Sequence, residues 1–263
     1  MSLNIDLSGK IVLISGVSSG IGQGAAREFA RAGAKVIGCA RKAETDASIQ
    51  PFLSLAQEFN TEVFYVPTDV SKKEDLQNLA TKAGERWGKI DILLSNAGMN
   101  MFQGVEDCTE DDWQYNLDLN LASHWRLSKF CKPYLNKSKD ACILLMTSNH
   151  AYSSIPGCFP YNVTKTAITG LVRAMAIEWA PEIRVVGVAP GFIDTAGNDT
   201  WFNSFEDADA ERQRTIDLHP VKTLGTVEEV GALCVYLSSP LAQFICGTTI
   251  LMDGGRAALM QDS

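Results

Sequence analysis

No run of apolar residues in this 263-residue chain approaches the roughly 18 needed to cross a bilayer, which argues against a membrane span. Positive charge is not in excess either. Lys and Arg number 23 against 31 Asp and Glu, a net charge of −8 with a pI near 5.0, whereas a nucleic-acid partner needs a basic face. The N-terminus, Met1-Ser2-Leu3-Asn4-Ile5-Asp6, has neither the basic region nor the apolar core of a secretory signal. The C-terminal Gln261-Asp262-Ser263 matches no retention or peroxisomal address. Cysteine pairs are missing: the seven cysteines stand singly, several in apolar runs such as Ala141–Leu144, and read as free thiols of a reducing cytoplasm. The three histidines have no zinc-type spacing, so no metal is expected. Linkers, composition shifts and internal repeats are absent too, and residues 1–263 read as a single domain. With 46% apolar and 21% charged residues, the chain has the balance of a soluble globular protein.

What is present is an alternation. Short apolar runs at Ile11–Ser15, Lys35–Cys39, Glu62–Val66, Asp91–Leu94, Cys142–Met146, Arg184–Val188 and Thr248–Met252 are separated by helical stretches such as Gly22–Arg31 and Asp75–Trp87. The runs are continuous rather than alternating, as in parallel strands covered on both faces. The pattern predicts an α/β fold, a single-domain Rossmann-like doubly wound parallel sheet of about seven strands flanked by helices.

The first strand runs into Gly16-Val17-Ser18-Ser19-Gly20-Ile21-Gly22 and then a helix. Glycines there permit a tight turn and close approach of a ligand, and the helix amides that follow attract an anion such as a pyrophosphate. The same residues fit the Gly-x-Ser-x-Gly elbow of α/β-hydrolases, but only fifteen residues precede Gly16, too few for that fold's oxyanion loop. At the end of the second strand, the place of the acid that binds an adenine ribose is taken by Ala40, and Arg41 follows. A guanidinium matches a 2′-phosphate, so NADP is favoured over NAD.

Tyr161 and Lys165 are i,i+4 neighbours on a helix whose apolar positions Val163, Ala167, Leu171 and Met175 recur every four residues. A nearby cation favours phenolate and is expected to lower the Tyr161 pKa, making it a workable acid/base. Thr147-Ser148-Asn149 follows the fifth run, Asn96-Ala97-Gly98 the fourth, and Pro190-Gly191-Phe192-Ile193-Asp194-Thr195 the sixth. Asn120 lies in the helical stretch after the fourth. All of these fall at strand exits on one edge of the sheet, where doubly wound folds bind ligands.

Together with Asp69 and the closing Asp253-Gly254-Gly255, these motifs make the chain resemble the short-chain dehydrogenase/reductase family from about Leu7 to Gly255. The resemblance implies that Tyr161 is the general acid/base, that Ser148 polarises the carbonyl, that Lys165 binds the nicotinamide ribose, and that Asn120 holds the water of a proton relay. It further implies that Asp69 and Val70 flank the adenine, that Asn96 lines the cofactor cleft, and that Ile193 and Thr195 contact the carboxamide. Three positions depart from the family pattern: Ser15 replaces Thr, Ser95 replaces Asn, and Ser19 stands where a basic residue often accompanies NADP. Ser15 and Ser95 keep a small polar group that can tie strand ends together, and Arg41 with Lys42 is left to hold the phosphate.

By the same resemblance, Phe192–Pro220 forms a substrate lid, and Met99, Asn149, His150, Phe159, Phe192 and Trp201 are candidates to line the pocket. The implied activity is NADP(H)-dependent interconversion of an alcohol and a carbonyl, with a sugar, a polyol or a small ketone as substrate. A 3-oxoacyl-thioester reductase and a non-catalytic nucleotide-sensing protein are the alternatives. The family also implies a homotetramer built on the helix after Tyr161 and on the C-terminal segment.

Overall fold

The computed structural model describes residues 5–260. Residues 1–4 and 261–263, which carry most of the signal and address readings, lie outside the described residues. In chain order the main elements are β1 (Ile11–Ser15), α1 (Gly20–Arg31), β2 (Lys35–Ala40), β3 (Val63–Pro67), α2 (Lys73–Trp87) and β4 (Ile92–Ser95). There follow α3 (Glu110–Leu117), α4 (Ser123–Leu135), β5 (Ala141–Met146), α5 (Tyr161–Trp179) and β6 (Ile183–Pro190). Then come α6 (Ala196–Phe202), α7 (Ala208–Asp217), α8 (Val227–Ser238) and β7 (Thr249–Met252). The seven strands form one parallel sheet in the order β3-β2-β1-β4-β5-β6-β7. Each expected run became a strand, with ends displaced by no more than two residues.

Every residue of β1, β4 and β5 is buried, as their unbroken apolar runs require. Side-chain alternation sorts them into two layers. Val12, Ile14, Ile92, Leu94, Cys142 and Leu144 face α1 and α8, while Ile11, Leu13, Leu93, Ile143 and Leu145 face α2, α4 and α5. Each fully buried Ile or Leu contributes about 1.5–3 kcal/mol, and truncation to Ala costs about 2–5 kcal/mol.

The four-residue apolar repeat on α5 lies only partly on its core side. Val163 and Ala167 are exposed, and the buried face is Tyr161, Thr164, Lys165, Ile168, Val172, Met175 and Ala176. A strict four-residue repeat drifts about 40° around a helix at each step, so it leaves the core, whereas steps of three and four together hold one face.

A second small element was not anticipated. Phe102–Gln103 pairs antiparallel with Phe159–Pro160, joining the loop after β4 to the start of α5. The chain winds outward from β1 to β3, then reverses and winds from β4 to β7. That reversal opens a crevice at the carboxyl ends of β1 and β4.

Candidate active site

The crevice has a backbone wall. Gly16 holds φ of 84°, in the left-handed region, and its amide donates to the Cys39 carbonyl at 2.8 Å, fixing the turn onto β2. A Cβ on Gly22 would strike the Gly16 carbonyl oxygen and the Asn96 side chain, so close approach excludes any larger residue there. Ser19 is the N-cap of α1, its side chain makes no capping bond, and no acid stands in the first turn. The amides of Gly20, Ile21 and Gly22 therefore carry the partial positive charge of an open helix end beside half-buried Ser18.

Asn96-Ala97-Gly98 lies against this turn. Ser15 Oγ accepts from the Asn96 and Ala97 amides at 2.9 and 3.0 Å, and Asn96 Nδ2 donates to the Ser15 carbonyl at 3.0 Å. Ser15 thus ties the strand ends as its polarity suggested. From the far side, the Thr195 methyl lies 3.5 Å from where a Cβ on Gly20 would stand. Asn198 holds that segment by donating to the Ile193 carbonyl at 2.6 Å, and the Gly191 amide donates to Met252 at 2.8 Å just past Pro190. This narrow, donor-rich cradle fits a dinucleotide pyrophosphate.

Arg41 and Lys42 are exposed after β2, where the Tyr65 hydroxyl donates to the Ala40 and Lys42 carbonyls at 3.0 and 2.7 Å. Arg41 enters no ion pair among the described residues. Asp69 accepts from the Ser71 amide and hydroxyl at 3.1 and 2.7 Å, shaping the turn into α2, with Val70 buried beside it.

Beyond the cradle the wall is made of side chains. Tyr161 and Lys165 rise from the first turns of α5, both buried, with Lys165 Nζ 5.4 Å from the Tyr161 ring centroid and donating to the Met146 carbonyl at 3.1 Å. Thr147 Oγ1 donates to the Lys165 carbonyl at 2.6 Å and locks β5 to that turn. Asn120 is fully buried in a π-turn, Asp118–Ala122, between α3 and α4. Its Oδ1 accepts from the Met99 amide at 2.9 Å, and its Nδ2 donates to the Met99 carbonyl at 2.9 Å and to Asn116 at 2.7 Å. A Cβ on Gly98 would lie 2.7 Å from Asn120 Oδ1 and 3.5 Å from Lys165 Nζ, so the three groups converge.

Burial pushes the Tyr161 phenol above its ordinary value, while the Ser148 hydroxyl beside it pulls in the opposite direction. Burial also brings the Lys165 amine down to about 8. This corrects the expectation that the ammonium lowers the phenol. A low-dielectric pocket disfavours both charged forms, and burial is the leading cause at each group.

Of the substrate candidates, Ser148 Oγ donates to Asn149 Oδ1 at 3.3 Å and accepts from the His150 amide at 3.2 Å. The His150 ring stands edge-on to Tyr161 at 6.1 Å, and Phe159 stacks on Trp113 at 5.4 Å. Phe192 and Trp201 form a separate group, 5.6 Å apart and packed with Phe202. No ring contact joins that group to Tyr161 among the described residues.

Three residues were missed. His124 is fully buried, and its Nδ1 lies 2.8 Å from Ser95 Oγ. Burial first, then the Lys165 charge, lowers its pKa to about 3, so the imidazole is neutral. Its place four residues after Asn120 was a usable signal. Phe102 is the second, at 5.5 Å from the Tyr161 ring. Arg212 is the third: it bonds Asp194 at 2.9 and 3.1 Å and Asp199 at 2.5 Å, and stacks over Phe202. Neither of these last two had a local signal.

A parallel doubly wound sheet with a phosphate cradle and a buried Tyr-Lys pair defines a dinucleotide-fold oxidoreductase. The model of the Enoyl-(Acyl carrier protein) reductase family matches residues 16–257. The human protein named Dehydrogenase/reductase SDR family member 4 is 33% identical over 252 residues, covering 95% of this chain and 88% of that protein. Oxidoreductase UcpA of Salmonella typhimurium is 33% identical over 253 residues, covering 95% of each. Among solved structures, L-sorbose reductase of Gluconobacter frateurii, complexed with NADPH and L-sorbose, superposes with a TM-score of 0.91 at 27% identity, covering 98% of this chain and 100% of that one. The chain belongs to the short-chain dehydrogenase/reductase family. It is an NAD(P)-dependent oxidoreductase acting on alcohol and carbonyl groups.

Proposed function

We propose that the protein is an NADP(H)-dependent alcohol/carbonyl oxidoreductase in which Tyr161 is the general acid/base. The observation that carries this reading is the convergence of Ser148, Tyr161, Lys165 and Asn120 at the mouth of the glycine cradle. Bound NADP(H) supplies or accepts the hydride at the substrate carbon. Ser148 donates a hydrogen bond to the substrate oxygen. Tyr161, held neutral by burial, begins the reducing direction with the proton it gives to that oxygen. The Lys165 ammonium, with one donor on Met146, stabilises the phenolate left behind and has further donors for the cofactor ribose. Asn120, fixed from both sides by Met99, keeps the π-turn in place and with it a water route to Lys165.

Gly16, Ser18, Ser19, Gly20, Ile21, Gly22, Asn96, Ala97, Gly98, Pro190, Gly191, Ile193 and Thr195 hold the dinucleotide, with Asp69 and Val70 at the adenine. Arg41, exposed and without a carboxylate partner among the described residues, supports NADP over NAD. Residues 192–220 serve as a lid over a single domain.

The likeness to L-sorbose reductase supports a sugar or polyol substrate, and a small ketone suits the same chemistry. A 3-oxoacyl-thioester reductase is the second reading, and the description of the matching family, an enoyl reductase, supports the thioester part of it alone. Exposed Val163 and Ile177 on α5, with Leu241, Phe244 and Leu251 by β7, support a homo-oligomer, a tetramer by family likeness. Seven free cysteines suit the cytoplasm.

The test is nicotinamide absorbance with sugars, polyols, ketones and 3-oxoacyl thioesters, with NADPH, NADP, NADH and NAD in parallel. Wild type is expected to turn over with NADP(H), and Tyr161→Phe to lose about a hundredfold or more while still binding NADPH. A Tyr161→Phe protein with full turnover refutes the assignment.

A further inference from the structure

The surface around Tyr161 is less polar than its neighbouring sequence, Ser148-Asn149-His150, suggests. Ser148 and Asn149 bond each other, and the Ser148 oxygen also takes the His150 amide, so part of this polarity is spent within the segment, leaving the Ser148 hydroxyl to face Tyr161. The His150 ring is wedged edge-on between Phe102 at 5.7 Å and Tyr161 at 6.1 Å. Phe102 itself is 45% exposed, although its ring is only 5.5 Å from the phenol. The two-residue ribbon sets it there, opposite Pro160, and the Trp113–Phe159 stack, nearly parallel at 12°, braces the strand behind it. An apolar plate therefore stands free beside the proton donor.

It is not alone on that edge. Met99 follows β4, Tyr152 and Ile155 follow β5, and Trp201 and Phe205 lie in the lid after β6, all of them exposed. Among the described residues, the loops that enter β2 to β6 from the opposite edge expose none of the large hydrophobic side chains. The loop entering β7 on that opposite edge does expose Leu241 and Phe244, so what sets the first group apart is Phe102 beside the candidate reacting centre. A polyhydroxy substrate needs several unengaged donors and acceptors around it; the Phe102 ring offers none, and the unpartnered buried atoms here are His150 Nδ1 and Gln103 Oε1 among the described residues.

We propose that the substrate carries an aryl or extended alkyl body directly beside its reacting carbon, and that Phe102 selects for it. This rests on the reading of Tyr161 as the acid/base. Such a body stacks on Phe102, while the one polar atom, the reacting oxygen, meets Ser148 and Tyr161.

The experiment measures kcat/KM of the full chain with NADPH across 2-butanone to 2-octanone, acetophenone, fructose and sorbose. Sorbitol with NADP is the polyol arm. kcat/KM is expected to rise about fourfold per added methylene, the factor that ~0.8 kcal/mol of transfer free energy per methylene gives. Acetophenone is expected to exceed each sugar by about a hundredfold. Phe102→Ala raises KM for acetophenone about tenfold, flattens the chain-length slope and leaves kcat the lesser change, and Phe102→Leu restores part of the slope. A merely structural Phe102 would instead lower kcat for every substrate alike. Sugars or sorbitol turned over better than the ketones, or a slope indifferent to chain length, overturn the proposal and leave the acid/base reading standing. Turnover of none of the compounds by a protein that binds NADPH overturns both.

Discussion

The wall of the cleft formed by residues 16–22 and 96–98 is backbone, held within a few ångströms by glycines and by Ser15, whereas the wall formed by residues 99–103, 148–161 and 192–205 is side chain, and largely aromatic. The first wall suits a ligand whose diphosphate never changes; its contacts are amides, which almost any residue supplies, so sequence matters there mainly where a Cβ would intrude. The second wall takes its chemistry from residue identity and can be re-specified without disturbing the first. Substitutions on the two walls should therefore fail differently, the first through folding and cofactor binding, the second through catalysis and substrate choice.

The strongest test of that division is Gly22→Ala. Its new methyl meets the Gly16 carbonyl and the Asn96 amide, neither of which can yield without reopening the turn, so a loss of about 3 kcal/mol or more is expected in denaturant melts, with NADPH affinity falling in parallel. A Gly22→Ala protein as stable as wild type would show the wall to be soft.

Lys165→Met should do the opposite on the other wall. The folded amine sits near 8 instead of its usual 10.5, so between those values the unfolded chain binds a proton that the folded chain does not. Wild-type stability is thus lowest below pH 8 and rises as pH climbs from 8 to 10.5. Met removes that cost. Stability at pH 7 should increase by about 3 kcal/mol at most, the rise above pH 8 should flatten, and turnover should collapse. Equal pH–stability curves for the two proteins would contradict the burial argument.

Arg41→Ala sharpens the comparison from the cofactor side. Losing a charge-assisted contact to a 2′-phosphate should weaken NADPH binding about tenfold and leave NADH unchanged in fluorescence titrations. Equal losses for both would remove the basis for NADP preference. The smallest effect is expected for Arg212→Leu, since its partners Asp194 and Asp199 are largely exposed and such pairs contribute about 1 kcal/mol or less. Faster proteolysis within 196–217, with melting otherwise unchanged, is the expected signature.

The backbone wall was readable in the chain because it depends on local order: a strand, three glycines and a helix, all within a dozen residues. The strands were readable for the same reason, their burial on both faces leaving continuous apolar runs. Tyr161 and Lys165 were placed by helical spacing alone, yet the buried face of α5 was not, since Val163 and Ala167 look as apolar as Ile168 and Val172 until the sheet shows which side it covers. Ser95 looked like a conservative departure, and only packing revealed His124 against it. Phe102 had no signal at all, because nothing near it in sequence foretells pairing with Pro160, some sixty positions away.

Short-range chemistry, then, decided the layering of this protein, its glycine turn and the pairing of Tyr161 with Lys165 on one helix, since steric and hydrogen-bonding demands within one turn or one strand admit few residue types. What surrounds Tyr161 was decided in three dimensions. Whether a buried phenol rises or falls in acidity, and which ring stands beside it, depends on the dielectric and on neighbours brought from distant segments, and those exist only once the sheet has closed over them.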